Sequence, residues 1–311
     1  MSAQIISVNM SLLKGVKKEP VESAMVDECG LQGDGHAGAW HRQVSLLSRE
    51  CVEAFEQSSG KKYGHGDFAE NITTHGIDLL SVRLRDTITT DSGVCLEVTQ
   101  IGKECHGGGC AIFKEVGACI MPHEGIFCRV IKGGTLRAGD QLIHQAHPLN
   151  IQIVTLSDRA SRGEYADQSG PAISSRLTGF FAKSHWGASC AISCIPDDAD
   201  QLTSAVGHAL DQSADIIFTT GGTGLGLRDI TPETIRPLLD KEIPGIMEYI
   251  RTKYGATIPA ALLSRGIAGM IGKTMVFTLP GSVRAVSEYL DCIIPVLDHA
   301  LKMIWITGYK H

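Results

Sequence analysis

A glycine-rich stretch, Thr219–Glu233, constrains this 311-residue chain more than any other feature. It follows the apolar run Ala214–Phe218, which predicts a buried strand, and it ends at Thr231, where the Thr-Pro-Glu sequence is typical of a helix start. Glycines between a strand and a helix let the backbone turn tightly and approach a ligand closely. Their free N–H groups, with the helix dipole behind them, suit an anion. Because Arg228 and Asp229 follow the glycines, the stretch combines a candidate phosphate site with a carboxylate that can hold a metal ion.

Charge and composition limit the classes of function. A net charge of -6 gives no case for binding nucleic acid or an acidic membrane, so an anionic nucleotide would need backbone dipoles or a divalent cation. No run of about 18 apolar residues is present, and no membrane span is expected. Lysines interrupt Met1–Pro20, which is therefore not expected to be a signal peptide. The ten cysteines lack the density of a secreted disulfide scaffold, so a reduced, cytoplasmic setting is expected.

The hydrophobic pattern changes near residue 147, which predicts two domains, 1–147 and 148–311. In the first, short runs rich in Ile, Val and Thr alternate with glycine clusters, which predicts a mainly β fold, a small sheet or barrel, with one helix from Ser48 to about Gln57. In the second, strands alternate with helices, which predicts a mostly parallel sheet covered on both faces. The strands predicted there are Ile151–Leu156, Ala188–Ile195, Ala214–Phe218 and Thr274–Leu279.

Each of these four strands ends in a polar or glycine-bearing loop. Ligands bind at the carboxyl ends of such strands, so the four loops are expected to converge at one edge of the sheet. The central loop lacks the Gly-Lys-Ser/Thr end of a Walker A loop. It is not the dinucleotide fingerprint either, because Leu227 stands at the last glycine position. A tight turn without a ligand remains an alternative, although the glycines with Arg228 and Asp229 exceed what a turn needs.

Seven motifs of the second half occur in one order: Ser157-Asp-Arg-Ala-Ser, Ile195-Pro-Asp, Thr219-Thr-Gly-Gly-Thr-Gly, Arg228-Asp-Ile-Thr-Pro-Glu, Glu242-Ile-Pro-Gly, Leu263-Ser-Arg and Leu279-Pro-Gly-Ser. In order and spacing, from about Leu149 onward, they resemble the molybdopterin adenylyltransferase family, which includes bacterial MogA/MoaB-type proteins and the G domain of gephyrin. The resemblance implies a three-layer α/β/α domain, usually trimeric. It also implies a reaction in which the phosphate of molybdopterin attacks the α-phosphate of ATP.

The resemblance implies roles for individual residues. Asp197 and Asp229 match the family's two important carboxylates, and either can hold a Mg²⁺ that bridges the triphosphate. The residues that the resemblance implies for binding substrate or nucleotide are Ser157, Asp158, Ser161, Gly221, Gly222, Thr223, Gly224, Thr231, Gly281 and Ser282. Such a transfer depends on positioning and charge stabilisation and needs no covalent nucleophile. A molybdopterin carrier with little turnover stays open as the alternative, because Ser282 stands where active relatives vary.

Three motifs of the first half also occur in a recognisable order: Gly30-Leu-Gln-Gly-Asp-Gly-His36 followed by Arg42-Gln-Val, Gly66-Asp-Phe-Ala-Glu-Asn-Ile72, and Ile101-Gly-Lys-Glu-Cys-His-Gly-Gly-Gly-Cys110. From about Gln4 to Ile143 the chain resembles the MOSC domain. The resemblance implies a barrel-like fold that binds molybdenum cofactor or carries sulfur through one cysteine, here Cys105.

A thiolate at Cys105 can ligate molybdenum or hold a persulfide, and Lys103 and His106 favour the ionised form. Two alternatives remain, a small buried hydrophobic side chain and a zinc site shared with neighbouring cysteines and histidines, whose spacing is loose for zinc. Together the two halves predict a fused molybdenum-cofactor protein with small-molecule substrates. We expect a trimer, other molybdenum-cofactor enzymes as partners, and no nucleic acid or membrane.

Overall fold

The structure is a computed structural model that describes residues 2–103 and 119–306. These residues divide into two compact units. The first ends at Pro148 and also takes in Trp305 and Ile306, whereas the second runs from Leu149 to Ile304. None of the helices within the described ranges has the length and apolar character that a membrane crossing requires.

The first unit is mainly β, as the sequence predicts. Its described strands are β1 (Gln4–Met10), β2 (Glu19–Val21), β3 (Ser23–Asp27), β4 (Gly30–Leu31), β5 (Val44–Ser48), β6 (Ile72–His75), β7 (Thr87–Thr90), β8 (Cys95–Ile101), β9 (Ile126–Lys132), β10 (Gly134–Arg137) and β11 (Leu142–Gln145). Eight of them form a sheet in the order β11-β7-β8-β9-β5-β6-β1-β2, and three form a second sheet, β10-β3-β4. An isolated antiparallel bridge joins Gln4 of β1 to Gln141, just before β11.

Two helices are described in this unit, α1 (Arg49–Ser59) and α2 (Met121–Glu124). Helix α1 confirms the helix predicted from Ser48, and its ends have local causes. The Ser48 side chain accepts a hydrogen bond from the Cys51 N–H at 3.1 Å, and Gly60 ends the helix with a left-handed φ of 68°. Val52 then packs inward against Leu47 and Phe68.

The second unit contains the predicted, mostly parallel sheet. Its strands are β12 (Leu149–Leu156), β13 (Ala188–Ile195), β14 (Ile216–Thr220), β15 (Lys241–Glu242), β16 (Ala268–Ile271) and β17 (Thr274–Leu279). The order is β13-β12-β14-β17-β16-β15. The four predicted strands run parallel, and the two strands that were not predicted, β15 and β16, extend the sheet antiparallel.

Helices cover both faces of this sheet. The described α-helices are α3 (Asp158–Ser161), α4 (Ser169–Phe181), α5 (Ala199–Asp211), α6 (Thr231–Ile235), α7 (Pro244–Gly255) and α8 (Val283–Trp305), with 3₁₀ turns at Arg236–Leu238 and Pro259–Leu263. One face packs against α5 and α6, where Val154 and Ile217 meet Leu202 and Ile235. Helix α4 contacts β12 and the edge strand β13, and it is joined to α8 by the Arg176–Asp291 ion pair at 2.6 Å.

Strand β13 departs from the expectation of a sheet covered on both faces. Five of its eight residues are exposed, including Ile192 and Cys194, although helix α4 contacts this edge strand. Next to it, Asp198 caps α5 by accepting the Gln201 N–H at 2.9 Å, as the sequence predicts. The loops that contain the candidate functional residues follow the carboxyl ends of β12, β13, β14 and β17.

Candidate functional site

The glycine loop leaves β14 through two residues with left-handed backbone, Gly221 (φ 103°) and Gly222 (φ 64°). Thr231 closes the loop from its far end, since its hydroxyl donates to the Gly221 carbonyl at 2.9 Å and its N–H to the Gly222 carbonyl at 3.0 Å. The Gly221 N–H donates to the Leu279 carbonyl at 3.0 Å, at the end of β17. The loop is thus tied to the carboxyl end of the neighbouring parallel strand.

We predict that Gly221→Ala destabilises the second unit. A Cβ at this position would clash with the Leu156 carbonyl oxygen, which is backbone and cannot move aside cheaply. The left-handed φ costs about 1–2 kcal/mol, and overpacking adds about 1–3 kcal/mol to the loss in the free energy of unfolding. Gly272→Ala is the matched control, because Gly272 also has a positive φ of 57° but open space around it. Urea unfolding curves measure the difference, and equal losses in the two variants would contradict the clash.

Asp229 folds back onto the glycine loop. Its carboxylate accepts the Gly226 N–H at 2.7 Å, and its own N–H donates to the Gly226 carbonyl at 3.0 Å. A Cβ on Gly224 would lie 2.8 Å from the same carboxylate oxygen, so a larger residue at this position would displace the Asp229 carboxylate. The loop therefore presents a fixed carboxylate beside backbone N–H groups.

A pocket of about 750 Å³ opens beside this loop. The loop supplies one side, and apolar and aromatic side chains supply another. Its lining residues are Gly221, Gly222, Thr223, Gly224, Leu225, Asp229, Ile250, Tyr254, Ile258, Ala260, Ala261, Leu263, Ser264, Pro280, Gly281, Ser282, Arg284, Ala285, Glu288 and Tyr289. The buried Tyr289 hydroxyl donates to the Ser264 hydroxyl at 2.6 Å, and burial raises the pKa of Tyr289. A pocket of this kind suits a planar ring that carries an anionic group.

A second group of acidic residues follows β12 and β13. Asp158 and Asp197 hold each other through reciprocal hydrogen bonds, because each carboxylate accepts the other residue's N–H, at 3.0 and 3.1 Å. Arg228, from the glycine loop, donates to Asp158 at 2.6 Å. The Asp197 N–H, followed by Arg228, lowers the pKa of Asp158. Within residues 2–103 and 119–306, no cluster of three or more His, Cys, Asp or Glu side chains is placed to hold a metal ion.

Comparisons with known proteins show which family the chain belongs to. Residues 152–299 match a family model described as a probable molybdopterin binding domain, and residues 33–143 match the MOSC domain. A molybdopterin adenylyltransferase from Pyrococcus furiosus is 40% identical over 155 residues, which cover 48% of this chain and 88% of that protein. The chain belongs to the molybdopterin adenylyltransferase family.

Two further members of this family extend the comparison. A molybdopterin adenylyltransferase from Helicobacter pylori is 32% identical over 160 residues, or 50% of this chain and 88% of that protein. Gephyrin from Dictyostelium discoideum is 38% identical over 161 residues, which cover 50% of this chain but 22% of gephyrin. The chain therefore matches most of the length of these two adenylyltransferases and about a fifth of gephyrin.

The residues that the family resemblance implies for the site fall into two groups. Those that line the pocket are Gly221, Gly222, Thr223, Gly224, Asp229, Gly281 and Ser282. The others, which do not line it, are Ser157, Asp158, Ser161, Asp197 and Thr231. Ser157 caps α3 by accepting the Ala160 N–H at 3.2 Å, and Ser161 donates to the Asp158 carbonyl at 3.0 Å. Thr231 is fully buried and orders the loop backbone.

Several pocket residues were not predicted. Tyr254 and Ile250 lie on α7, and Glu288 and Tyr289 lie on α8, so their approach to the glycine loop depends on tertiary packing. Arg265 was also missed as a site residue, although the Leu263-Ser-Arg motif contained it. Its guanidinium donates to the carbonyls of Gly224 and Asp229, both at 2.6 Å. The Leu263-Ser-Arg motif was the sequence feature that could have indicated Arg265 as a site residue. An arginine side chain can donate hydrogen bonds to several carbonyls at once.

In the first unit, cationic side chains gather over two aromatic rings. Lys14 and Arg42 lie over the Trp40 ring at 5.2 and 4.8 Å, and Arg42 and Lys103 lie over the Phe127 ring at 6.0 and 5.9 Å. Burial lowers the pKa of Arg42. Lys103 is the last described residue before residue 119, so the predicted cysteine, Cys105, and its neighbours His106 and Cys110 lie outside the described residues.

Proposed function

We propose that the second half of the chain adenylylates molybdopterin. One observation carries the proposal: in a domain of the adenylyltransferase family, backbone N–H groups and the Asp229 carboxylate meet at the mouth of an apolar-walled pocket. An anion-binding loop beside an aromatic wall suits a phosphorylated ring compound. The relatives named molybdopterin adenylyltransferase support both ATP and molybdopterin as substrates.

The proposed chemistry requires positioning more than covalent catalysis. An oxygen of the molybdopterin phosphate forms a bond to the α-phosphorus of ATP, the bond from that phosphorus to the bridging oxygen breaks, and pyrophosphate leaves with the electron pair. The two reactants are both anionic, so the site must reduce their repulsion. The Gly221 N–H is bonded to the Leu279 carbonyl, so N–H groups of the Gly222–Gly224 segment receive a phosphate, and the fixed loop holds it in place without rearrangement.

The acidic residues fit a magnesium ion that reaches the site with its nucleotide. Mg²⁺ in phosphoryl-transfer sites is held by one or two carboxylates together with phosphate oxygens and water, so a larger protein cluster is not required. We propose Asp197 and Asp229 for this role. When bound, the ion neutralises triphosphate charge. Asp158 stays ionised because its pKa is lowered, and it holds the Asp197 backbone in place.

We further propose that the first half, 1–147, binds the molybdenum cofactor or carries sulfur on Cys105. Lys14, Arg42 and Lys103 form a cationic, aromatic-lined surface that suits an anionic cofactor. The Gln4–Gln141 bridge joins β1, the second strand from one edge of the large sheet, to the residue before β11, the strand at the other edge, which supports a barrel-like description of this half.

Because residues 1–147 are covalently linked to residues 148–311, the site in each half is at a high local concentration for a molecule released by the other half. We propose that a labile intermediate passes between the halves. Separated halves mixed in trans at low concentration are then expected to deliver less product than the intact chain. Equal delivery would contradict this transfer.

We also propose a homotrimer formed through the second half in a cytoplasmic setting. The exposed edge strand Ala188–Ile195 supports association, because an edge strand without charged residues is usually covered or paired. Light scattering of the intact chain tests this, and a monomer at micromolar concentration would refute it. Small-molecule substrates and other molybdenum-cofactor enzymes remain the proposed partners.

One experiment separates the proposed enzyme from a molybdopterin carrier. The intact chain is incubated with molybdopterin, Mg²⁺ and ATP, and the products are analysed by mass spectrometry. Adenylylated molybdopterin and an equal amount of pyrophosphate are expected. Tight molybdopterin binding without AMP transfer would instead identify a carrier.

A further inference from the structure

Arg265 contacts the glycine loop at several points. Its backbone N–H donates to the Thr223 carbonyl at 3.1 Å, and its guanidinium donates to the carbonyls of Gly224 and Asp229. The remaining part of the guanidinium pairs with Glu233 in the first turn of α6. One residue therefore holds the middle of the loop, its end and the following helix.

These contacts orient two consecutive peptide groups. In a trans peptide the C=O and the next residue's N–H point in opposite directions. Because the carbonyls of Thr223 and Gly224 point at Arg265, the N–H groups of Gly224 and Leu225 point away from it. Among the described residues, neither of these two N–H groups donates a hydrogen bond to another protein group. They are two adjacent donors, each on the side of its peptide group opposite Arg265.

The position of Arg265 shows which space these donors face. Gly224 and Leu225 line the 750 Å³ pocket, whereas Arg265 does not. Arg265 instead lines a smaller cavity of about 460 Å³, together with Leu225, Glu233 and Arg251. Arg265 therefore meets the loop from the side of the smaller cavity, whereas Gly224 lines the larger pocket. A cation that donates to a carbonyl also polarises that peptide group, which strengthens its N–H as a donor.

We infer that Arg265 is a positioning residue that fixes and polarises the Gly224 and Leu225 N–H groups as a receptor for a phosphate group in the larger pocket. This inference rests on the proposed adenylyl transfer and assigns to that site a determinant of phosphate affinity. Arg265 does not touch the substrate itself. Glu233 forms an exposed ion pair with the same guanidinium.

The test measures binding of inorganic pyrophosphate with Mg²⁺ to the intact chain by isothermal titration calorimetry. Arg265→Met removes the side-chain bonds to both carbonyls, and Arg265→Lys keeps the charge but cannot reach both carbonyls with a planar fork. Residues that orient ligand-binding groups typically contribute about 10- to 100-fold in affinity, which is the loss expected for Arg265→Met, with a smaller loss for Arg265→Lys. Adenosine affinity is measured in parallel and is expected to stay unchanged.

Two variants serve as controls. Glu233→Gln removes the ion pair but leaves the carbonyl bonds, and Arg236→Met removes a nearby exposed cation paired with Glu242. Both are expected to change pyrophosphate affinity by less than about threefold, because exposed ion pairs contribute little. A further variant, Arg265→Ala, leaves a space that added ethylguanidine can fill in place of the missing side chain. Ethylguanidine is expected to restore part of the pyrophosphate affinity that Arg265→Ala loses.

Thermal unfolding checks that each variant folds. If Arg265→Met fails to fold, Arg265→Lys decides: weaker pyrophosphate binding with normal adenosine binding supports the inference, and wild-type binding overturns it. Parallel losses for pyrophosphate and adenosine also overturn it, because they indicate a general structural role. Failure of the proposed function is distinguishable, since it would leave the wild-type chain without AMP transfer whatever the behaviour of the Arg265 variants.

Discussion

Asp229→Asn is expected to lower adenylyl transfer by about 100-fold or more while the domain stays folded. The Asn side-chain oxygen can still accept the Gly226 N–H, which the carboxylate now binds at 2.7 Å, so the loop geometry is retained. The lost charge is the one proposed to hold the magnesium ion beside the pocket. Pyrophosphate release with Mg-ATP and molybdopterin measures the rate, and titration with Mg²⁺ shows whether the variant needs more of the ion.

Asp240→Asn provides a matched control for this charge removal. Asp240 also accepts a glycine N–H through its carboxylate, from Gly272 at 2.5 Å, but it lies outside the pocket. Its replacement removes the same charge from the same unit and is expected to leave the transfer rate within about twofold, as for ordinary surface substitutions. Near-normal pyrophosphate release by Asp229→Asn would rule out Asp229 as the essential carboxylate.

The four main strands of the second unit could be predicted, though not their order in the sheet, because buried parallel strands form uninterrupted apolar runs. Strands β13 and β17 have the predicted bounds, Ala188–Ile195 and Thr274–Leu279. Strands β15 and β16 could not be predicted, because Lys241–Glu242 is two exposed residues and Ala268–Ile271 is four residues long with Gly269 inside it. Their place in the sheet comes from pairing with β17, not from local pattern.

Site residues could likewise be predicted where their contacts are local in sequence, and they were missed where the contacts join distant segments. The Asp229 contact with Gly226 spans three residues, so the local motif contained the information. Arg265 meets Gly224 across 41 residues and Asp229 across 36, so only the folded chain shows which carbonyls it reaches. The reciprocal bonds between Asp158 and Asp197 likewise depend on β12 and β13 lying side by side.

In the first unit, the sheet β10-β3-β4 was missed for a different reason. Strand Ser23–Asp27 alternates exposed and buried residues over a short length, and Gly30–Leu31 has two residues. Such strands carry little hydrophobic pattern and depend on neighbours such as Gly134–Arg137 for pairing. The motif that contains Asp34 was recognised, but its buried ionic partner could not be, because Lys18 lies in a polar stretch that predicts exposure.

Lys18→Met is expected to lower the free energy of unfolding of the first unit by about 3–5 kcal/mol, the usual cost of leaving one buried charge unpaired. The Lys18 and Asp34 side chains are both fully buried and form a direct ion pair. The Asp34 carboxylate also accepts the Ser11 N–H at 3.1 Å and the His36 N–H at 2.9 Å, so it holds the loop before β5. Urea unfolding, followed by a probe in the first unit, measures the loss.

The double variant Lys18→Met/Asp34→Asn tests the electrostatic origin of that loss. Asn removes the unpaired charge and can still accept one of the two backbone N–H groups, from Ser11 or His36, through its single carbonyl oxygen, so the double variant is expected to recover part of the stability. Burial alone would raise the pKa of Asp34, but hydrogen bonds from His36 and Lys18 outweigh it and hold this pKa well below its usual range. A lowered folded-state pKa stabilises the protein above the unfolded value, about 3.9, and this contribution is lost as the pH falls toward the folded value. The wild type should therefore lose its advantage over the double variant in acid, and a constant difference between pH 7 and pH 2 would show that packing, not charge, determines the stability of this pair.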